Sequence, residues 1–186
     1  KENFNNYLQT ILKQIKQIEN LVNEFSDFAR MPKPVFQKND ICKIINSNIT
    51  LLQDIDKDIS IKFNYAKSKL LVKSDNEQIN RVFLNLIKNS IESIQEKSKK
   101  NLNFTKIIDI EISSNNDYIS IKITDNGIGF SSDNIKNIVK PYFTTKPKGS
   151  GLGLSIVSKI INDHNGSIEF KSNKDGATVE MILPLV

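Results

Sequence analysis

The sequence predicts an α+β fold in which one long heptad-patterned helix leads into a two-layer sandwich, with helices on one face of a mixed, mostly antiparallel sheet. Three observations point there. Apolar residues recur at alternating spacings of four and three from Phe4 to Ala29. Two later pairs of alternating segments are joined by short turns, as antiparallel hairpins are. The helical patterns between them are too few for a doubly wound parallel sheet.

Taken in order, Phe4, Leu8, Ile11, Ile15, Ile18, Val22, Phe25 and Ala29 form an a/d seam that stays in phase for about three and a half heptads. Pro32 and Pro34 stop this helix after Arg30-Met31. A single helix cannot bury such a stripe alone. Its continuous 3.5-residue period predicts packing on a partner helix, as in a dimer, in preference to docking on the body of its own chain. The texture changes after the prolines, which places a domain boundary near residues 31–36. Residues 40–54 read as a helix capped by Asp40, Ile59 to Tyr65 as a strand, and Leu70 to Lys73 as a shorter one. Ser74-Asp75-Asn76-Glu77 reads as a capping box opening a helix to about Lys97. Strands at Lys106 to Ser113 and Tyr118 to Asp125 follow, turned at Ser114 to Asp117. The stretch from Asn126 to Ser150 is rich in Gly, Ser, Asn and Lys and is too long for an ordinary connection, so it is a candidate lid. Leu152 to His164 is a helix closed by Asn165-Gly166, and the chain finishes in a hairpin turned at Asn173 to Gly176.

Composition narrows the function. The 186 residues are 38% hydrophobic and 25% charged, enough apolar material for a core and for one to two domains. No run reaches the roughly 18 to 20 apolar residues of a membrane span. The start Lys1-Glu2-Asn3-Phe4 has neither a signal-peptide pattern nor an initiator Met, so the chain is expected to be a piece of something longer. One Cys and one His make neither an internal disulfide nor a structural zinc site, which reads as cytosolic. The net charge of +5 comes almost wholly from dispersed lysines, with only Arg30 and Arg81 to supply a bidentate fork; a solvated surface is expected and nucleic acid is not.

Three segments could carry chemistry. On the helix from Asp75, Asn85 and Asn89 project together one turn apart, beside Lys88. An Asn carbonyl oxygen suits Mg²⁺ when phosphates supply the remaining charge, although for this helix taken alone a solvated polar face is the favoured reading. Next, Asp125-Asn126-Gly127-Ile128-Gly129 follows a strand. That order offers an acceptor at a pocket wall and backbone that a flat ligand can approach, or simply a β-turn. It lacks the third glycine and the helix of a dinucleotide fingerprint. Last, Lys148-Gly149-Ser150-Gly151-Leu152-Gly153-Leu154 runs straight into a helix, where amide donors and the macrodipole suit phosphate, though the spacing is not that of a P-loop. Between the last two lies Pro141-Tyr142-Phe143-Thr144-Thr145-Lys146, with an aromatic to pin a mobile loop and polar groups to reach a phosphate chain.

In this order the segments resemble the N, G1, F and G2 boxes of sensor histidine kinases. Together with Phe25-Ser26-Asp27-Phe28-Ala29-Arg30-Met31-Pro32, they look like the nitrogen-regulation NtrY type. The resemblance covers essentially the whole chain. It implies that residues 1–31 are the second helix of a dimerisation and phosphotransfer hairpin. Residues 36–186 would be an ATP-binding catalytic domain with the Bergerat α/β sandwich shared with gyrase, Hsp90 and MutL. By the same resemblance Asn89 would hold Mg²⁺ against the phosphates and act in catalysis with Lys146, with Asn85 and Lys88 beside it. Asp125 would accept from the adenine amino group, and Gly127 and Gly129 would let the base lie on the backbone. Phe143, Thr144, Thr145, Lys146 and Lys148 would form the lid, and Gly149, Gly151, Leu152, Gly153 and Leu154 would close over the triphosphate. The implied partners are a response regulator and, in the intact protein, a second copy through the hairpin. The implied setting is the cytoplasmic portion of a membrane-anchored bacterial sensor, with its membrane segments outside this chain.

Two departures shape the expectation. Hydrolytic relatives carry a Glu four residues ahead of the metal-binding Asn, where this chain has Asn85, which cannot take a proton at neutral pH. Transfer to a protein acceptor is therefore expected over water attack. The His-Glu context of the family's acceptor is also missing, and His164 reads as a helix C-cap favoured by the dipole. The chain alone is thus expected to bind nucleotide without phosphorylating itself. The alternatives are a serine kinase of the anti-sigma-factor type, which the heptad helix opposes, and a non-catalytic nucleotide-sensing module that dimerises through residues 4–29.

Overall fold

The computed structural model describes residues 2–65, 69–99, 103–131, 135–146, 149–173 and 175–185. The heptad pattern forms one helix, α1 (Glu2–Ala29), whose stripe faces outward: Phe4, Ile11, Ile18 and Val22 are all more than half exposed. At its base, Phe28 and the following Met31 pack against the core, and the Phe25 ring stacks on Tyr142 with centroids 6.3 Å apart.

Strand β1 (Gln37–Asp40) was not legible in the sequence. Gln-Lys-Asn-Asp has no apolar alternation, and the strand exists because its backbone pairs antiparallel with β3 (Leu71–Ser74), in a register from Gln37↔Ser74 to Asp40↔Leu71. Asp40 then caps α2 (Ile41–Leu52), its Oδ1 accepting from the Cys42 N–H at 3.1 Å. Asp40→Ala is expected to lower stability by ~1 kcal/mol. In thermal unfolding that is a drop of roughly 2–4 °C.

Helix α3 (Asn76–Ser98) begins one residue later than the expected capping box allows. Ser74 is held in β3, so Asp75 is the cap and accepts from the Gln78 N–H at 3.0 Å. Glu77 therefore falls one position short of the place from which it could reach back to the cap.

A five-stranded sheet forms the second layer, in the order β2 (Ser60–Asn64), β4 (Ile107–Ser114), β5 (Tyr118–Asp125), β7 (Gly176–Pro184), β6 (Ser167–Asn173). The β2–β4 pair is parallel and the other pairs are antiparallel. Period-two alternation sends Ile108, Ile110, Ile119, Ile121, Ile123 and Met181 to the inner face, where they are buried against Ile79, Phe83 and Ile87 of α3 and Ile156 and Ile160 of α4 (Gly153–Asp163). The other face carries Lys122 paired with Glu111 at 3.5 Å. A one-residue slip would exchange these two faces, so burial pins the register.

Helix α4 ends in a Schellman motif. Asn165 takes the left-handed conformation (φ 57°), its N–H donates to Asn162 O at 3.0 Å, and Gly166 N–H donates to Ile161 O at 2.9 Å. His164 caps this end from the interior. It is buried, its Nδ1 lies 2.7 Å from Ile160 O, and its Nε2 accepts the Asp75 N–H at 2.9 Å. An accepting Nε2 puts the ring's proton on Nδ1. The segment joining α1 to the body is tied to the same corner. Gln78 Nε2 donates to Pro32 O at 3.0 Å, the Val35 N–H donates to Asp75 Oδ2 at 2.8 Å, and the Phe36 ring meets His164 edge-on at 5.2 Å. Among the described residues no helix is long and apolar enough to cross a membrane.

Candidate functional site

Asp125 ends β5 and is 6% exposed, facing α3. Its Oδ1 accepts from the Gly127 N–H at 2.9 Å and from Ser93 Oγ at 3.4 Å, and its Oδ2 accepts from Ser90 Oγ at 3.1 Å. Burial pushes this carboxyl above the ordinary carboxylate range, and hydrogen bonds from Gly127, Ser90, Ser93 and the Ala177 backbone only partly offset that. A Cβ at Gly127 would stand 2.2 Å from Ser93 Oγ and 2.6 Å from the Ser93 carbonyl carbon, so only glycine lets β5 close on α3 here. Gly129 takes φ +69°, and a Cβ there would meet Gly176 O at 2.5 Å.

Along α3 the polar line Asn85, Asn89, Glu92 is spaced four and three, and Lys88 beside it is exposed. Asn85 Nδ2 donates to Arg81 O at 2.8 Å, and its Oδ1 lies where a Cβ on Gly153 would come within 3.1 Å. Asn89 Oδ1 accepts from Lys146 Nζ at 3.0 Å, and the same ammonium pairs with Glu92 Oε2.

Lys146 belongs to the segment expected to act as a lid. Its described residues form turns, with Ile138 buried as an internal anchor and Phe143 half-buried. Tyr142 has φ 66°, and Gly151 (φ +71°) lies so close that a Cβ would be 2.5 Å from the Tyr142 carbonyl carbon. Thr144 Oγ1 accepts the Lys146 N–H at 3.0 Å, and Gly149 N–H donates to Lys146 O at 3.1 Å, while Thr145 is exposed. Lys148 lies outside the described residues. Leu152 sits at the N-cap of α4 with its side chain wholly in the core, and no side chain caps the helix. Leu154 packs partly against the core. The first-turn amides of α4 therefore open beside Asn85, a setting suited to anionic oxygens.

The structure thus brings Asn85, Asn89 and Lys146 together beside the opening of α4, and sets Asp125 and Gly127 at the end of β5 against α3, with Gly129 against Ser172 and Gly176 of the β6–β7 hairpin. Sequence reasoning missed Ser90, Ser93, Glu92 and Lys97. Ser90 had a readable signal, because a hydroxyl in the apolar stripe of α3 needs a buried partner. Lys97 Nζ donates to Asn126 O at 2.7 Å and to Asp175 O at 2.9 Å, closing the turn after Asp125.

The chain has known relatives. The family model described as histidine kinase-, DNA gyrase B-, and HSP90-like ATPase matches residues 74–186, more than half of the chain. The chain belongs to this ATPase family. Its family members among curated proteins include an NtrY-like protein of Rickettsia conorii, 34% identical over 96% of this chain and 29% of that protein. Nitrogen regulation protein NtrY of Azorhizobium caulinodans is 31% identical over 95% of this chain and 23% of its own length. The chain therefore spans less than a third of either relative. Among solved ATPase-family structures, the nucleotide-free catalytic domain of histidine kinase ThkA is 25% identical (TM-score 0.70), with 81% of this chain and 95% of that one covered. Full-length ShkA in complex with AMPPNP, 19% identical, shares the fold over 97% of this chain and 38% of that one (TM-score 0.80). ThkA in complex with response regulator protein TrrA does so over 97% and 51%, at 22% identity and TM-score 0.77.

Proposed function

We propose that this chain is the ATP-binding catalytic part of a two-component sensor histidine kinase, residues 36–186, joined to the second helix of its dimerisation and phosphotransfer hairpin, residues 1–31. The observation that carries this reading is the convergence on one helix, α3, of a buried carboxylate, a metal-suited amide and a lid lysine, with the uncapped start of α4 beside them.

In this reading Asp125 accepts from the adenine amino group, and Gly127 and Gly129 let the base lie on backbone. Phe143 anchors the lid, Thr144, Thr145, Lys146 and Lys148 face the phosphate chain, and the amides of Gly149, Gly151, Leu152, Gly153 and Leu154 close over it. Asn89 fits Mg²⁺, since its neutral oxygen already accepts a cation, the Lys146 ammonium, with Asn85 and Lys88 adjoining. Bound there, Mg²⁺ would neutralise charge on the phosphate oxygens. Transfer breaks the bond between the γ-phosphorus and the β–γ bridging oxygen and forms a bond to a histidine nitrogen. That histidine is not His164, which is buried and engaged at both ring nitrogens. The acceptor then lies on a hairpin helix outside this chain, and the phosphoryl group passes onward to an aspartate of a response regulator. The exposed stripe of α1 supports homodimerisation in the intact protein, the cytoplasmic part of a sensor whose membrane segments are elsewhere.

The test mixes this chain with labelled ATP and a separate fragment carrying a histidine-bearing hairpin helix. Acid-labile, base-stable label on that fragment is expected. Intact ATP binding without label would instead identify a nucleotide-sensing module. Asn89→Ala is expected to abolish the label and to remove most of the gain in affinity that Mg²⁺ confers, about five- to tenfold, measured by calorimetry with and without the metal.

A further inference from the structure

Glu92 has no part in the reading above, yet it shares the Lys146 ammonium with Asn89. It stands three residues beyond Asn89 on the same face of α3, and the Lys146 ammonium bridges the two, donating to Asn89 Oδ1 at 3.0 Å and pairing with Glu92 Oε2. The lid backbone is folded to deliver that side chain, since the Lys146 N–H donates to Thr144 Oγ1 and Lys146 O accepts from the Gly149 N–H. A neutral amide alone holds an ammonium weakly, so the charge that keeps Lys146 on α3 comes from Glu92.

We propose that Glu92 is a positioning residue for the terminal phosphate: it pre-organises Lys146 over α3, and the ammonium turns about Glu92 from the Asn89 oxygen onto the γ-phosphate when nucleotide arrives. This rests on the reading of Lys146 as the cation that meets the phosphate chain. A free lysine loses much side-chain freedom when it binds, and a lysine already ordered by Glu92 loses less, so affinity rises for the ligand that uses it. The side chains of Lys146 and Glu92 are 44% and 38% exposed. A pair so open to water is weak enough for a ligand to rearrange.

Removing a negative charge beside a triphosphate should by simple repulsion tighten binding, so the proposal predicts the opposite sign. Titration calorimetry with Mg²⁺ and either a non-hydrolysable ATP analogue or ADP compares wild type, Glu92→Gln, Glu92→Asp and Lys146→Met. Glu92→Gln is expected to weaken the ATP analogue about three- to tenfold, as loss of one ordered side chain implies, with ADP nearly unchanged and Glu92→Asp restoring most of the difference. Without nucleotide, acetylation of Lys146 followed by mass spectrometry should speed up severalfold in Glu92→Gln, while exposed Lys88 reacts as before. Tighter binding of both nucleotides in Glu92→Gln, or an unchanged Lys146 acetylation rate, overturns the proposal. If Lys146→Met leaves the affinity for the ATP analogue unaltered, the phosphate role of Lys146 itself fails. If Lys146→Met weakens it and Glu92→Gln does not, only the role of Glu92 fails.

Discussion

Asp125→Asn is expected to weaken ATP binding by about ten- to a hundredfold, the worth of one hydrogen bond to a buried charged group, while making the unliganded protein more stable at neutral pH. The two effects share one cause. The carboxylate is buried, and burial lifts its pKa above the ordinary 3.8 despite donors from Gly127, Ser90 and Ser93. A carboxyl whose folded pKa is raised contributes its stability in full below the unfolded value, and that contribution is lost as pH rises through the folded value. At pH 7 the ionised side chain is therefore a net cost to the fold, and an amide of the same shape removes it. Asn Oδ1 can still accept from the Gly127 N–H, and a serine Oγ can accept from the new amide. Thermal unfolding without ligand should show the variant ahead at pH 7, with the gap closing as pH falls towards 4. A variant less stable than wild type at pH 7 would mean that the hydrogen bonds to the carboxylate outweigh desolvation.

Gly127→Ala is expected to cost ~3 kcal/mol, since backbone and side chain must both shift to admit the methyl group. In a chain of this size the midpoint should fall by roughly 6–12 °C. The new Cβ would press on Ser93 Oγ at 2.2 Å and on the Ser93 carbonyl carbon at 2.6 Å, and a helix carbonyl cannot step aside. Ser93 also serves Asp125 and accepts the Ile128 N–H at 3.1 Å, so nucleotide affinity should fall together with stability. Gly149→Ala is the informative contrast. Its tightest neighbour is the tip of Thr144 at 2.6 Å, a side chain on an exposed lid that can rotate, so its effect on the midpoint should be small. Equal losses in the two variants would contradict this account of the clash.

The order of elements was legible because most segments state their own period. The heptads of α1, the alternation in β4 and β5 and the caps Asp40 and Asn165-Gly166 each depend on neighbours close in sequence. Where the reading failed, the cause was long-range. Gln37–Asp40 is a strand only because Leu71–Ser74 lies beside it, and Asp75 became the cap only because that pairing claimed Ser74. The ordered positions of the site were visible as boxes of residues. Their mutual engagement was not: that Lys146 reaches across to Asn89 and Glu92, or that two serines of α3 face Asp125, follows from how β5 and the lid lie against one helix. Nor could periodicity tell that His164 would sit in the interior with both nitrogens bonded.

The ties of Pro32, Val35 and Phe36 to Gln78, Asp75 and His164 have a mechanical consequence. At 1.5 Å per residue, α1 is a rod about 42 Å long. The stretch that follows it, residues 31–36, holds no helix or strand and is bonded at Pro32 and Val35 to the first turn of the helix that bears Asn85 and Asn89. Displacing the far tip of the rod would load those bonds at the first turn of α3, with the long arm on the input side and α3 on the short one.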